Sequence, residues 1–170
     1  YDKNGSTIVG AAAVITGSKD NAAGAAINIA DIDNTFTASV NDASVTADTV
    51  QAEANADTLL VGVAAGVAAG TKNFGGMGSV TWQDIDNDVT AQFENSVITA
   101  NEAKANASSS TQAVNVAGAV AVGKTAGIGA ALAYNGLDNT SGAYMKGNTI
   151  QALSNDKTVD VSVEANNTGK

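Results

Sequence analysis

The chain has no cysteine, no histidine and no proline, and only seven of its 170 residues are Phe, Trp or Tyr. Without cysteine there is no disulfide framework and no thiolate nucleophile, and with histidine also missing the usual zinc ligand sets are gone. Without proline nothing removes a donor from a backbone ladder. Basic side chains are scarce as well: 8 Lys and Arg against 17 Asp and Glu give a net charge of −9, with an isoelectric point near 4.1. That balance excludes a general attraction to nucleic acid or to anionic lipid, both of which need basic clusters. No run approaches the ~18 consecutive apolar residues of a membrane helix, so no membrane span is expected. The chain opens on Tyr1 with no initiator Met and no charged-then-apolar leader, which reads as a mature segment or an excised piece.

What is present is small and apolar. The apolar 44% is almost wholly Ala, Val and Ile, with 18 glycines beside it, so the interior must be filled by short side chains and its backbone layers must lie close together. Alanine favours helices, but here it alternates with β-branched residues and glycine, as in Val116-Ala117-Gly118-Ala119-Val120-Ala121-Val122-Gly123. That company argues for strands. The fold class expected is therefore all-β.

The sequence repeats. Asp31-Ile32-Asp33-Asn34 recurs as Asp84-Ile85-Asp86-Asn87 and again as Leu137-Asp138-Asn139-Thr140, with Asp33, Asp86 and Asp138 spaced by 53 and then 52 residues. Thr37-Ala38 matches Thr90-Ala91 and Gly142-Ala143, and Thr46-Ala47 matches Thr99-Ala100 and Gln151-Ala152. Three units follow, about 5–57, 58–110 and 111–170, in one repeat domain that reads as a fragment of a longer solenoid. The third is lengthened by about five or six residues around Ser154 to Thr158, as an outward loop would be. Each unit holds two apolar runs separated by a polar turn such as Ser18-Lys19-Asp20-Asn21, the second ending at the Asp-Asn step, and then shorter alternating stretches. This predicts five short strands per unit.

Thr35 to Val40 alternates with a period of two, one face on a core and one in water. From Val61 to Ala69 both parities are apolar or glycine, so both faces ought to be covered. The architecture expected is a β-solenoid of parallel β-helix type, with tightly packed Gly/Ala-rich layers. Two coils per unit, or an antiparallel hairpin across the Ser18–Asn21 turn, are both compatible with the spacing.

Candidate chemistry is sparse. Asp84, Asp86 and Asp88 resemble the start of a calcium loop, but the matching positions in the other units include Thr35, Gly136 and Thr140, and position twelve is Asn95. The simpler reading is a turn capped by Asp and Asn, with Asn34, Asn87 and Asn139 forming a ladder from unit to unit. Glu53, Glu94, Glu102 and Glu164 fall at unrelated points of the repeat, whereas glycosidic chemistry wants two converging carboxylates. Phe93 shares a repeat position with Val40 and Met145, and Trp82 shares one with Ile29 and Tyr134; both columns read as core or inter-layer packing. No catalytic, cofactor-binding or metal-binding residue is assigned, and no enzyme activity is expected.

The order Val-Ala-Gly-Ala-Val-Ala-Val-Gly, then Gly-Ile-Gly-Ala-Ala-Leu-Ala-Tyr-Asn, then Leu-Asp-Asn-Thr, closing on Val-Asp-Val-Ser-Val-Glu-Ala-Asn, resembles the internal repeats of large exported bacterial adhesins of the leukotoxin-like filamentous and filamentous-haemagglutinin-like kind. The resemblance runs from Ile8 to Asn166. It implies a β-helical stalk, an outer-membrane secretion route of the type V kind, a place on the cell surface, and attachment to host or neighbouring cells. The partners expected are the neighbouring repeats and an unidentified surface receptor. A self-assembling extracellular filament and a polysaccharide-acting β-helix enzyme are the rival classes.

Overall fold

In a computed structural model, residues 2–155 and 157–170 are described, with side chains from Gly5 onward. The described chain is all strand and turn, with 84% of it in strands and no helix. The strands are β1 (Asp2–Ser18), β2 (Ala22–Asn41), β3 (Ser44–Thr46), β4 (Thr49–Gly70), β5 (Phe74–Glu94), β6 (Val97–Thr99), β7 (Glu102–Gly123), β8 (Ala126–Lys146), β9 (Thr149–Gln151) and β10 (Asp160–Gly169). They form sheet A in the order β1-β4-β7-β10, sheet B in the order β2-β5-β8, and sheet C in the order β3-β6-β9. Every pairing is parallel. The chain thus visits A, B and C in turn and returns to A, an arrangement compatible with a β-solenoid.

The register corrects two expectations. Ala22 pairs with Gly75 and Asn41 with Glu94, an offset of 53 along all of β2. Phe74 pairs with Ala126 and Glu94 with Lys146, an offset of 52 along β5. Each residue therefore meets its counterpart one whole repeat away, which leaves no room for two coils per repeat. The two apolar runs likewise do not pair with each other as an antiparallel hairpin; they lie in different sheets. Nor are there five short strands: Gly24–Ile32 and Thr35–Val40 are parts of one 20-residue strand. The Asp-Asn step is no turn. It sits in mid-strand, aspartates outward and asparagine inward, because a period of two sends neighbours to opposite faces. The steps 57/58 and 110/111 fall inside β4 and β7. From Thr99↔Gln151 to Glu102↔Asp160 the offset grows from 52 to 58, so six residues are inserted between β9 and β10, of which Asp156 lies outside the described residues.

The cross-section has two parts. At one end sheets A, B and C enclose a core of Ala52, Ala54, Val89, Ala91, Phe93, Ile98 and their neighbours. At the other end only A and B remain, facing each other as a two-layer arm around Ala26, Ala64, Ala68 and Met77, with Ile32, Leu60 and Ile85 between the two parts. Glycine makes the arm thin. A Cβ on Gly66 would overlap Met77 Cε, and one on Gly62 would overlap the Gln83 amide. Three-residue strands suffice for sheet C because its corners are fixed: Asp42, Asn95 and Gly147 occupy one repeat position and all have left-handed φ, of 49°, 51° and 67°. Asp, Asn and Gly are the residues that tolerate this region.

Candidate functional site

The residues singled out in the sequence come together on sheet B, divided between its two faces. Inward, Asn34, Asn87 and Asn139 form the expected ladder. Asn34 Nδ2 donates to Asn87 Oδ1 at 2.9 Å, and Asn87 Nδ2 donates to Asn139 Oδ1 at 2.9 Å. The facing strand completes it: Thr58 Oγ1 donates to Asn87 Oδ1 at 3.3 Å and Thr111 Oγ1 to Asn139 Oδ1 at 2.7 Å. Asn87 is fully buried, so this satisfaction is what makes a polar residue tolerable there. Gln83, two inward positions earlier on β5, is equally buried, yet neither amide atom has a protein partner.

Outward lie the acids. Asp31 pairs with Asp84, Thr35 with Asp88, and Asp33, Asp86 and Asp138 form one row across three strands. Asp84, Asp86 and Asp88 follow one another along β5 and are exposed. Residues two apart on one strand face stand roughly 7 Å apart and parallel, not arranged around a point. Among the described residues no group of three or more acids converges as a metal site would require. Desolvation, then the charges of Asp138, Asp33, Asp88 and Asp84, raise the Asp86 carboxyl above its ordinary value of 3.8.

Beside the acids runs the row Ile29, Trp82, Tyr134. The shared repeat position holds, but core burial does not: Ile29 is 69% exposed, Trp82 45% and Tyr134 44%. Trp82 and Tyr134 stack at 4.2 Å between ring centroids, so one face of the indole is already covered. The column Val40, Phe93, Met145 is interior as expected, with Phe93 fully buried.

The outward side of the arm departs furthest from expectation. The inner face of β4 from Leu60 to Gly70 is covered by sheet B, while its outer face, with Val67 at 41% exposed, has no sheet of this chain over it among the described residues. Val9, Ile15, Val116 and Val120 are open on the same side. The arm's inner face holds Ala64, Ala68 and Met77 together with glycine, Thr81, Gln83 and Asn115, while many of its larger aliphatic side chains lie outward.

The glutamates correct one reading. Glu53 and Glu164 share a row of sheet A, separated by Asn106. Glu102 lies 2.5 Å from Lys104, whose hydrogen bond lowers its carboxyl below the ordinary value, and Glu94 pairs with Lys146 at 3.5 Å. Both are surface contacts, the first within β7 and the second between β5 and β8. A shallow groove of about 310 Å³ on sheet A, lined by Thr7, Asp57, Leu59, Ser110 and Gln112 among others, contains a single acid. Among the described residues no helix is long and apolar enough to cross a membrane. Compared with known proteins, the chain matches no family model, and neither a curated protein nor a solved structure shows significant similarity to it.

Proposed function

We propose that the chain is a three-coil segment of a β-solenoid, one coil per repeat, which serves as a structural and adhesive region of an exported bacterial surface protein. The observation that supports this most is the register: counterparts 52 or 53 residues apart lie side by side along β2, β4 and β5. A stack of that kind is stabilised by each unit's contact with the next and needs no reactive centre. The resemblance to filamentous-adhesin repeats supplies the address, the outer surface of a bacterium, and the partners, neighbouring repeats and a cell-surface receptor. The polysaccharide-enzyme reading finds little support, since the acid rows stand on an open face and the groove on the opposite sheet holds Asp57 alone.

Proportion refines the stalk idea. One circuit of about 53 residues gains a single strand spacing of ~4.8 Å along the axis, whereas a 20-residue strand spans about 65 Å across it. The residues go into breadth, not reach. Broad flat faces suit contact better than they suit spacing.

Beads carrying the 170-residue chain test this directly when incubated with epithelial cells and with bacteria, beside albumin-coated beads. Attachment above the albumin control, competed by free chain, is expected. Attachment no better than albumin, together with release of reducing ends from a polysaccharide panel, would replace the adhesive reading with the enzymatic one.

A further inference from the structure

The outer face of the arm in sheet B has a second pattern, visible when its rows are followed from the tip. The tip turns carry Lys19, Lys72 and Lys124, one per circuit and all exposed, with a single acid, Asp20, which lies 3.8 Å from Lys72 and leaves the tip net positive. Next come two rows dominated by small residues, Ala23/Gly76/Ile128 and Ala25/Gly78/Ala130, then two rows of larger ones, Ile27/Val80/Leu132 and Ile29/Trp82/Tyr134, and then the acids. Exposure is high across the apolar part, with Ile27 at 60%, Ile128 at 62% and Leu132 at 58%. Charge and size thus run in opposite directions on either side of a line through Ala26, Ser79 and Ala131.

We propose that this face binds a second copy of the same chain, turned by a two-fold axis parallel to the stacking direction and passing over that line. Such a rotation lays coil on equivalent coil with the strands antiparallel across the interface. Val80 then enters the open space at Gly78, where nothing lies within 4 Å of a Cβ. Ile27 and Leu132 meet Ala25 and Ala130, and Trp82 meets the ring of Phe74, which lies across Gly76. At each end the tip lysines reach the row Asp33, Asp86, Asp138 of the other copy. The alternative two-fold, along the strands, sets lysine on lysine and carboxylate on carboxylate, and large row on large row. Like charges brought together are costly, so the pattern selects the first axis.

Other occupants fit less well. An anionic lipid surface would be repelled by the acid rows, and a stacking sugar would find one indole face taken by Tyr134. Three strands and about 13 residues of strand give a footprint near 600 Å² per copy, or about 1,200 Å² in all, at the lower edge of specific interfaces. Each added coil would enlarge it. The aliphatic face of sheet A has no matching charge pattern and carries no proposal. This inference rests on the arm's outer rows and not on the adhesive reading.

The test is sedimentation equilibrium of the whole chain, with circular dichroism to confirm the strand content of each variant. A reversible dimer is expected. Lys72→Glu and Asp86→Lys should each weaken it about tenfold, and the double substitution should restore it to within about threefold. Val80→Glu should abolish it, while Val67→Glu on sheet A leaves it unchanged. Because the chain lacks cysteine, orientation can be read by mixing Ala25→Cys and Ile27→Cys chains: they should cross-link to each other, and each only weakly to itself. A monomer up to the solubility limit, loss of the dimer on Val67→Glu, or preferential cross-linking of Ala25→Cys chains to themselves would overturn the proposal. Should Val80→Glu fail to fold, the exposed Lys72/Asp86 exchange still decides it.

Discussion

Asn87 shows how much one side chain can carry when its neighbours are copies of itself. It donates to Thr111 at 2.8 Å as well as to Asn139 and accepts from Asn34 and Thr58, so its removal leaves several buried groups without partners. Asn87→Ala should cost about 2–4 kcal/mol, and Asn34→Ala, at the ladder's open end, roughly half that. Urea denaturation of both variants checks the order, and equal losses would contradict the ladder. Asp86 works the other way. Its carboxyl is raised in the folded chain, so the stability it contributes is fully present below the unfolded aspartate value and is lost as pH rises through the folded one. At concentrations too low for copies to pair, Asp86→Asn should therefore melt higher than the parent at pH 7, with the difference closing as pH falls toward 3.8. A gap that widens on acidification would contradict this sign. The asparagine ladder was legible in the sequence because identical residues recur at one period. The exposure of Trp82 was not: Val80 and Trp82 alternate with Ser79, Thr81 and Gln83, so alternation puts the apolar face inside, whereas the structure buries the polar one. Here Gly62 and Gly66 decide it, by making room on one face for Gln83 and Met77.

The six long strands, of 17 to 22 residues, are where the residues suggest more and shorter elements than the fold contains. Strands of 3–10 residues are the norm, and a stretch dense in acids such as Asp84-Ile85-Asp86 reads as a break. It continues the strand instead, since its aspartates face water and Asn87 finds partners inside. The corner into sheet C is the feature the sequence hid most completely, because Asp42, Asn95 and Gly147 look unlike each other and share only a tolerance of positive φ. Asn95→Gly should change stability by less than about 0.5 kcal/mol, whereas Asn95→Val should lose about 1–2 kcal/mol to backbone strain. Denaturant midpoints of the two variants give the comparison. Equal midpoints would mean that the corner does not hold its left-handed conformation in solution.

At the scale of the whole molecule, small side chains set the shape. An interior of alanine, glycine and short polar residues cannot be thick, so each circuit flattens into a two-layer arm, and the β-branched residues that cannot fit inside are displayed on the outside. Burying them against water by pairing copies gains roughly 25 cal/mol per Å² of apolar surface before the costs of association, and that gain grows with every added circuit. The repeat period and its anchors came directly from the residues, as Asp33↔Asp86 and Thr46↔Thr99 attest. The number of circuits per repeat did not, because a 53-residue turn is long for a coil with strands of ordinary length. Everything at this scale depends on one circuit per repeat, in register. Continuous-wave electron paramagnetic resonance on Asp33→Cys/Asp86→Cys chains, each cysteine carrying a nitroxide, reads it most directly. Labels on adjacent strands, ~4.8 Å apart along the stack, should broaden each other strongly, while either single-labelled chain gives a sharp spectrum. A double-labelled spectrum equal to the sum of the two single ones would contradict the account.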